Sequence, residues 1–326
     1  MLWRRPGHPA IDTAAQGDGV HLSLAELLGL RADAARLLAA PTRLSAGHLH
    51  GQQSSRFRGR GMDFDEVRPY QEGDDVRAID WRVTARTGRA HTKLYREERE
   101  RPVHLVLDQS DSLYFGSRNA LKAVTAARAA ALLTWAALAA DQRIGALLFG
   151  SHDHVELKPS SSRRAIMSLL RTVSERHNAG LPFVQAARSL RRESVALAAL
   201  RRLRHVMRPG SLVFVLSDFH AFDEAARLEL AEIARHADVH AFIIDDPLER
   251  ELPPDGVYGF CDGEAVIQLD TGDTRLRQRY IEDWRQHRAA LRHYFLSQRI
   301  TSTELGTELP LLDTLAEALM RGRRAA

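Results

Sequence analysis

Three oxygen-bearing side chains stand at every second position where a run of branched apolar residues stops. In VHLVLDQSDSL, Val103–Leu113, the run ends in Asp108, and Ser110 and Ser112 follow. Alternate side chains of an extended segment point the same way, so these three can converge while Gln109 and Asp111 point elsewhere. One carboxylate and two hydroxyls are hard donors suited to Mg²⁺ or a similar cation that keeps several waters. A second carboxylate, Asp218, closes another apolar run, SLVFVLSD. Ligands of open parallel sheets bind outside the carboxyl ends of the strands, so two strand-end aspartates can share one crevice. The competing reading is that Asp108 and Ser112 only cap the helix that follows.

The elements that would position these residues alternate. VHLVLD reads as a strand and NALKAVTAARAAALLTWAALAA as a long helix. RIGALLFG and HVELKP read as a hairpin around SHD, and SSRRAIMSLLRTVSER as a helix, with a further helical stretch to about Met207. SLVFVLSD is a buried strand, DEAARLELAEIARH a helix and DVHAFIID a strand. Near-continuous apolar strands alternating with helices predict an α/β fold with a mainly parallel sheet covered on both faces.

Ahead of this unit, residues 1–20 lack periodicity and read as disordered. LSLAELLGLRADAARLLAA has helical leucine spacing, a Ser23–Glu26 capping box and Pro41 as its stop. Residues from about 62 to 101 read as strand, polar turn, short helix (VRAIDWRVTART) and strand. Behind the unit come a Gly-turned hairpin (VYGFCDGEAVIQLD), an Arg-rich helix over about 274–298 and a last helix ending near Met320. The expected division is 1–20 disordered, 21–101 an N-terminal segment, 102–250 the α/β domain and 251–326 a C-terminal hairpin and helices.

Composition narrows the classes. Of 326 residues only Cys261 is a cysteine, so no internal disulfide forms. The first residues lack the apolar stretch of a secretory signal. The most apolar segment, Ala129–Ala140, is too short to span a bilayer, so no membrane span and a cytoplasmic location are expected. The net charge of +4 comes from arginines spread along the chain. Nucleic-acid binders carry a sharper basic stripe, and no nucleic-acid partner is expected. Phosphate-loop, zincin and nucleophile-elbow motifs are missing, and nothing sets a nucleophile beside a base. The chain reads as a non-enzyme.

The segment GMDFDEVRPYQEGDDVRAIDWRVTARTGRAHTKLYREERE is dense in opposite charges. Asp74, Asp75 and Asp80 lie among Arg68, Arg77, Arg82 and Arg86, which reads as a salt-bridged clamp. Ile79 and Trp81 read as its buried anchor. Arg68 and Tyr70, then Gly73, Asp74, Asp75 and Arg77, then Ile79, Asp80 and Trp81, then Ala85 and Arg86 occur in an order that resembles the signature of a bacterial family, domain of unknown function 58 (DUF58). The resemblance covers roughly residues 20 to 250. The Asp-x-Ser-x-Ser resembles the metal-ion-dependent adhesion site of von Willebrand factor A domains.

Together these resemblances imply a von Willebrand A-like, Rossmann-like domain behind an N-terminal segment. They imply an adaptor or assembly factor working with a MoxR-type AAA+ ATPase. They also imply Mg²⁺ at Asp108, Ser110, Ser112 and Asp218, with an open position for a partner's acidic side chain. Such a site takes a threonine from a later loop. The matching stretch NAGLPFVQAA has Leu181 there, and Thr172 and Ser174 fall on a predicted helix.

The alternative function is a Mg²⁺-dependent phosphohydrolase in which Asp108 attacks phosphorus. Enzymes of the haloacid dehalogenase type carry Asp-x-Asp, and Ser110 replaces the second carboxylate. His152, Asp153 and His154 read as a hairpin tip. The basic stretch Arg188–Arg208 carries Leu197, Leu200, Leu203 and Val206 at helical spacing, and Tyr280, Trp284, Leu291 and Phe295 read as core.

Overall fold

The structure is a computed structural model that describes residues 17–38, 44, 54–55, 62–71, 74–97, 101–181, 194–261 and 266–321. Of the expected disorder over residues 1–20, residues 1–16 lie outside the described residues, as do Gly73, the start of the basic stretch at Arg188 and the tip of the 257–270 hairpin, whereas 17–20 are held in place, the Gly19 carbonyl accepting the Leu121 N–H at 2.8 Å.

Two short helices open the chain, α1 (Leu24–Gly29) and α2 (Arg31–Leu37). Ser23 caps α1 by accepting from the Glu26 N–H at 3.1 Å. The second half of the expected capping box is not made, because the Glu26 carboxylate turns to Arg128 at 2.6 Å. Next come β1 (Ser54–Ser55), β2 (Met62–Pro69), α3 (Trp81–Thr87) and β3 (His91–Glu97), with the three strands in an antiparallel sheet ordered β1-β3-β2. α3 starts at Trp81 rather than Val76. Asp80 caps it through the Arg82 and Val83 N–H groups, while Val76–Ala78 form a separate 3-10 turn capped by Asp75. Gly88, at φ 72°, ends α3 in the left-handed conformation that glycine adopts without strain.

The main unit runs β4 (Val103–Gln109), α4 (Lys122–Ala139), β5 (Ile144–Gly150), β6 (His154–Ser160), α5 (Arg163–Gly180), α6 (Val195–Val206), β7 (Leu212–Ser217), α7 (Glu224–Ala234) and β8 (Asp238–Asp245). The one-turn α8 (Pro247–Arg250), the hairpin β9 (Val257–Cys261) and β10 (Val266–Asp270), and α9 (Thr274–Ser297) follow. β11 (Thr301–Gly306) and α10 (Leu311–Arg321) complete it. The six-stranded sheet has the order β11-β8-β7-β4-β5-β6. All neighbours are parallel except β6, which returns antiparallel beside β5 as the expected hairpin.

This is a Rossmann-like α/β sheet covered by helices on both faces. Its sixth strand, β11, comes from the stretch 251–326, where the sequence predicts a C-terminal hairpin and helices and no further strand. TSTELG is a half-buried edge strand with Leu305 its one large apolar residue, so it lacks the apolar run of the interior strands.

Residues alternate across each strand. Val103, Leu105 and Leu107 of β4 join a core with α1, α2, α4, α5 and α10, whereas Val106 joins the other core with α6, α7 and α9. α4 is buried on nearly all sides, which its alanine-rich sequence permits at close range. Trp135 of α4 donates to the Leu27 carbonyl at 2.9 Å, so the N-terminal helices belong to this layer. The order reverses between β4 and β7, and such a switch point opens a crevice at the carboxyl ends of the strands. Asp108 and Asp218 lie there.

Candidate functional site: a neutralised acid pair in the sheet crevice

Asp108 is the next-to-last residue of β4 and is fully buried. Its Oδ1 accepts the Ser110 N–H at 2.8 Å, and its Oδ2 accepts the Ser217 hydroxyl, at the end of β7, at 2.5 Å. The Ser110 and Ser112 hydroxyls do meet, 3.4 Å apart. Burial, and then the charge of Asp218, push the Asp108 carboxyl up to about 7.

Asp218 follows β7. The next residue, Phe219, sits at φ 66°, an uncommon conformation for a residue with a side chain. The Ser217 hydroxyl accepts the Phe219 N–H at 2.8 Å, and the Phe219 ring packs on Phe222 and Phe295. This sharp turn aims Asp218 at the amino end of α4. There Lys122, 1% exposed, reaches Asp218 Oδ2 at 2.8 Å and Glu249 Oε1 at 2.5 Å. The other partner of Asp218 is His220, whose ring lies 3.2 Å from Oδ2 and whose N–H reaches Oδ1 at 3.0 Å. Burial opposes ionisation of Asp218, but His220 and Lys122 outweigh it and hold this carboxyl below the usual range. Burial alone would lower the Lys122 ammonium; Asp218 and Glu249 raise it instead. The His220 ring, bonded to Asp218, titrates above an ordinary histidine.

A third buried carboxylate braces the crevice. Asp246 accepts the Ser117 N–H at 2.8 Å, the Ser117 hydroxyl, the Thr307 hydroxyl at 2.7 Å and the Leu248 N–H at 3.0 Å. It thereby ties together the loops after β4, β8 and β11. Beside it Asp245 holds Arg250 through two 2.8 Å bonds and Arg288 at 3.2 Å.

The four expected metal ligands therefore fall in one crevice, but they do not fit a divalent cation. Both oxygens of Asp108 accept protein hydrogen bonds, and Asp218 already holds an ammonium. Leu181 lies directly behind α5, where it supplies no oxygen, and Thr172 and Ser174 bond to the Ser168 and Leu22 carbonyls. Among the described residues no group of three or more His, Cys, Asp or Glu side chains is placed to hold a metal ion. Lys122 supplies the positive charge that the acid pair needs.

Lys122, Glu249, His220 and Ser217 were not singled out by sequence reasoning. One signal was present for the lysine. A helix as apolar as α4 offers little solvated face, so a cation at its start must find a buried partner. At the hairpin tip, Asp153 pairs with Arg176 at 2.6 and 3.1 Å, which takes it away from His152 and His154 as a ligand set.

The signature segment lies on the small sheet. Arg68 pairs with Asp74 at 2.8 Å, and the Tyr70 N–H donates to the Ala90 carbonyl at 2.8 Å. Asp75 and Asp80 cap backbone N–H groups instead of clamping Arg77 and Arg82. The expectation of a buried anchor fails at Trp81, which is 70% exposed. As the first residue of a helix capped by Asp80, it is turned to solvent. Arg77, Arg82 and Arg86 are exposed as well, and make no ion pair among the described residues.

A mainly parallel, doubly covered sheet with an acid pair at its switch point defines a Rossmann-like α/β protein. Comparison with known proteins goes further: the chain belongs to the DUF58 family, matching the family described as "Protein of unknown function DUF58" over residues 66–290. The uncharacterized proteins Rv1480 of Mycobacterium tuberculosis and Mb1516 of Mycobacterium bovis are each 34% identical to it over 245 residues, 74% of either chain. Among solved structures, the conserved hypothetical protein BatB from Bacteroides thetaiotaomicron is 13% identical, with a TM-score of 0.43, over 68% of this chain and 98% of that one. An aerotolerance-related membrane protein from Bacteroides fragilis is 14% identical, with a TM-score of 0.37, over 68% and 97%. No helix among the described residues of the present chain is long and apolar enough to cross a membrane.

Proposed function

We propose that this DUF58 member is a non-catalytic interaction module that docks a MoxR-type AAA+ ATPase through its signature segment, without a divalent cation. The observation that carries the reading is Trp81, exposed on a capped helix in a segment where Arg77, Arg82 and Arg86 are exposed as well. Tryptophan and arginine are the residues most enriched where binding energy concentrates, and three exposed cations in the same segment as an exposed indole suit an acidic partner surface. The von Willebrand A-like resemblance and the adaptor role belong to the same reading.

The phosphohydrolase alternative has less support. Asp108 is enclosed with both oxygens occupied, so its carboxylate has no line of approach to a phosphorus atom. A positioned base is needed as well, and of the two basic groups on Asp218, Lys122 is held as an ammonium by two carboxylates and the His220 ring is engaged by Asp218 itself.

The test is capture of a purified MoxR-type ATPase from the same cell by the tagged protein, with Mg²⁺ and with EDTA. Equal capture in both, lost in Trp81→Ala, is the expected result. Capture that survives Trp81→Ala, or that EDTA abolishes, would overturn the reading.

A further inference from the structure

The opposite end of the sheet carries a second feature that the proposed function does not use. A cavity of about 470 Å³ opens beside the amino end of β4, between the β5–β6 hairpin and α6. That volume is in the range of small-molecule sites. Its lining includes His104, Arg143, Glu156, Lys158, Arg202 and Arg208. Four permanent cations thus face one carboxylate. Arg202 pairs with that carboxylate, and Arg143 donates to the Pro159 carbonyl at 3.0 Å, which fixes two guanidinium groups at the wall.

His104 is the telling residue. It is 4% exposed, and the neighbour it shares a face of β4 with, Val106, belongs to the apolar core under α6. Its ring makes no hydrogen bond with any described residue. Burial lowers the imidazole to about 4, against a smaller opposing effect of Glu156. At neutral pH the ring therefore still presents one N–H donor and one acceptor to the cavity. A solvated arginine face would require no such residue.

We propose that this cavity binds the phosphate group of a small molecule, with the guanidinium and ammonium groups neutralising the dianion and His104 completing its hydrogen bonding. Paired guanidinium forks match phosphate oxygens. A nucleic-acid strand is a poor fit, because among the described residues no Phe, Tyr or Trp lines the cavity to stack a base.

The test is a titration of the full chain with inorganic phosphate, glycerol 3-phosphate and acetate at constant ionic strength and neutral pH. Binding is read from the His104 ring C–H resonance, assigned with His104→Gln. Saturable shifts with a phosphate species and none with acetate support the proposal. Saturation by glycerol 3-phosphate alone identifies a monoester as the ligand, whereas saturation by both identifies the phosphate group itself. Lys158→Glu combined with Arg208→Glu changes two exposed side chains and leaves the melting temperature in place. It weakens phosphate binding about tenfold or more. No saturable shift with either phosphate, an equal response to acetate, or unchanged affinity in the double variant would overturn the proposal.

Discussion

Replacing Lys122 by Met tests the internal counter-charge directly. Met keeps most of the lysine's volume, so the cavity contribution is small. What changes is the charge. Asp218, with 2% of its side chain exposed, loses the ammonium at 2.8 Å, and Glu249 loses it at 2.5 Å. Breaking a buried pair from one side costs about 3–5 kcal/mol, because the remaining charge stays desolvated. His220 still bonds Asp218, which places the expected loss nearer about 3 kcal/mol. Urea denaturation at neutral pH, followed by fluorescence and circular dichroism together, measures it and checks that unfolding is two-state. Lys122→Met combined with Asp218→Asn removes both charges and recovers about 2 kcal/mol of the loss. The wild-type Asp218 carboxyl is depressed, so its stabilisation is present above its unfolded pKa and is lost as pH falls through the folded value. Without Lys122 that depression shrinks, and the gap between variant and wild type narrows on acidification. A Lys122→Met protein within about 0.5 kcal/mol of wild type at neutral pH would refute the reasoning.

Asp108 has the opposite sign. Its folded value of about 7 lies above the ordinary 3.8, so its contribution is intact below the lower value and is lost as pH rises through the higher one. Asp108→Asn fixes the neutral form; the variant is expected to gain on wild type between pH 4 and pH 8, by about 4 kcal/mol at most, and chemical denaturation at the two pH values that shows no relative gain would count against this. Millimolar Mg²⁺ is expected to leave the wild-type melting temperature unchanged, since a cation bound only by the folded state would raise it; a concentration-dependent rise in calorimetry would restore the metal reading. Asp246→Ala strands the Ser117, Thr307 and Leu248 donors and should cost about 3 kcal/mol or more by urea titration, a cost that a merely exposed carboxylate would not show.

Much of the fold is legible in the sequence because the interior strands are buried on both faces. LVFVL and AFII leave uninterrupted apolar runs and VHLVL one broken only by His104, and helices fill the intervals. The two strand-end aspartates are legible for the same reason, since a charge closing such a run must sit where the sheet opens. β11 is not legible, because an edge strand needs no second apolar face. Trp81 misleads because tryptophan usually goes inside, whereas the cap at Asp80 decides where α3 begins and so where the indole points. Lys122 and His104 share a different logic. Each is a polar residue in an element whose neighbours are all buried, and the sequence shows the mismatch without showing what resolves it.

The sixth strand has a consequence for how the chain becomes a protein. β8 carries Ala241, Phe242, Ile243 and Ile244 in an unbroken buried row, and its outer edge is closed by β11. During synthesis that edge stays open until residue 306 is made and has left the ribosome. A fragment ending near residue 250 would also lack α9 and with it Arg288, the partner of Asp245. Such a fragment would display a long, flat, apolar edge, the kind of surface on which strands of separate chains pair. The last quarter of the chain thus closes a sheet edge that the first three quarters leave open.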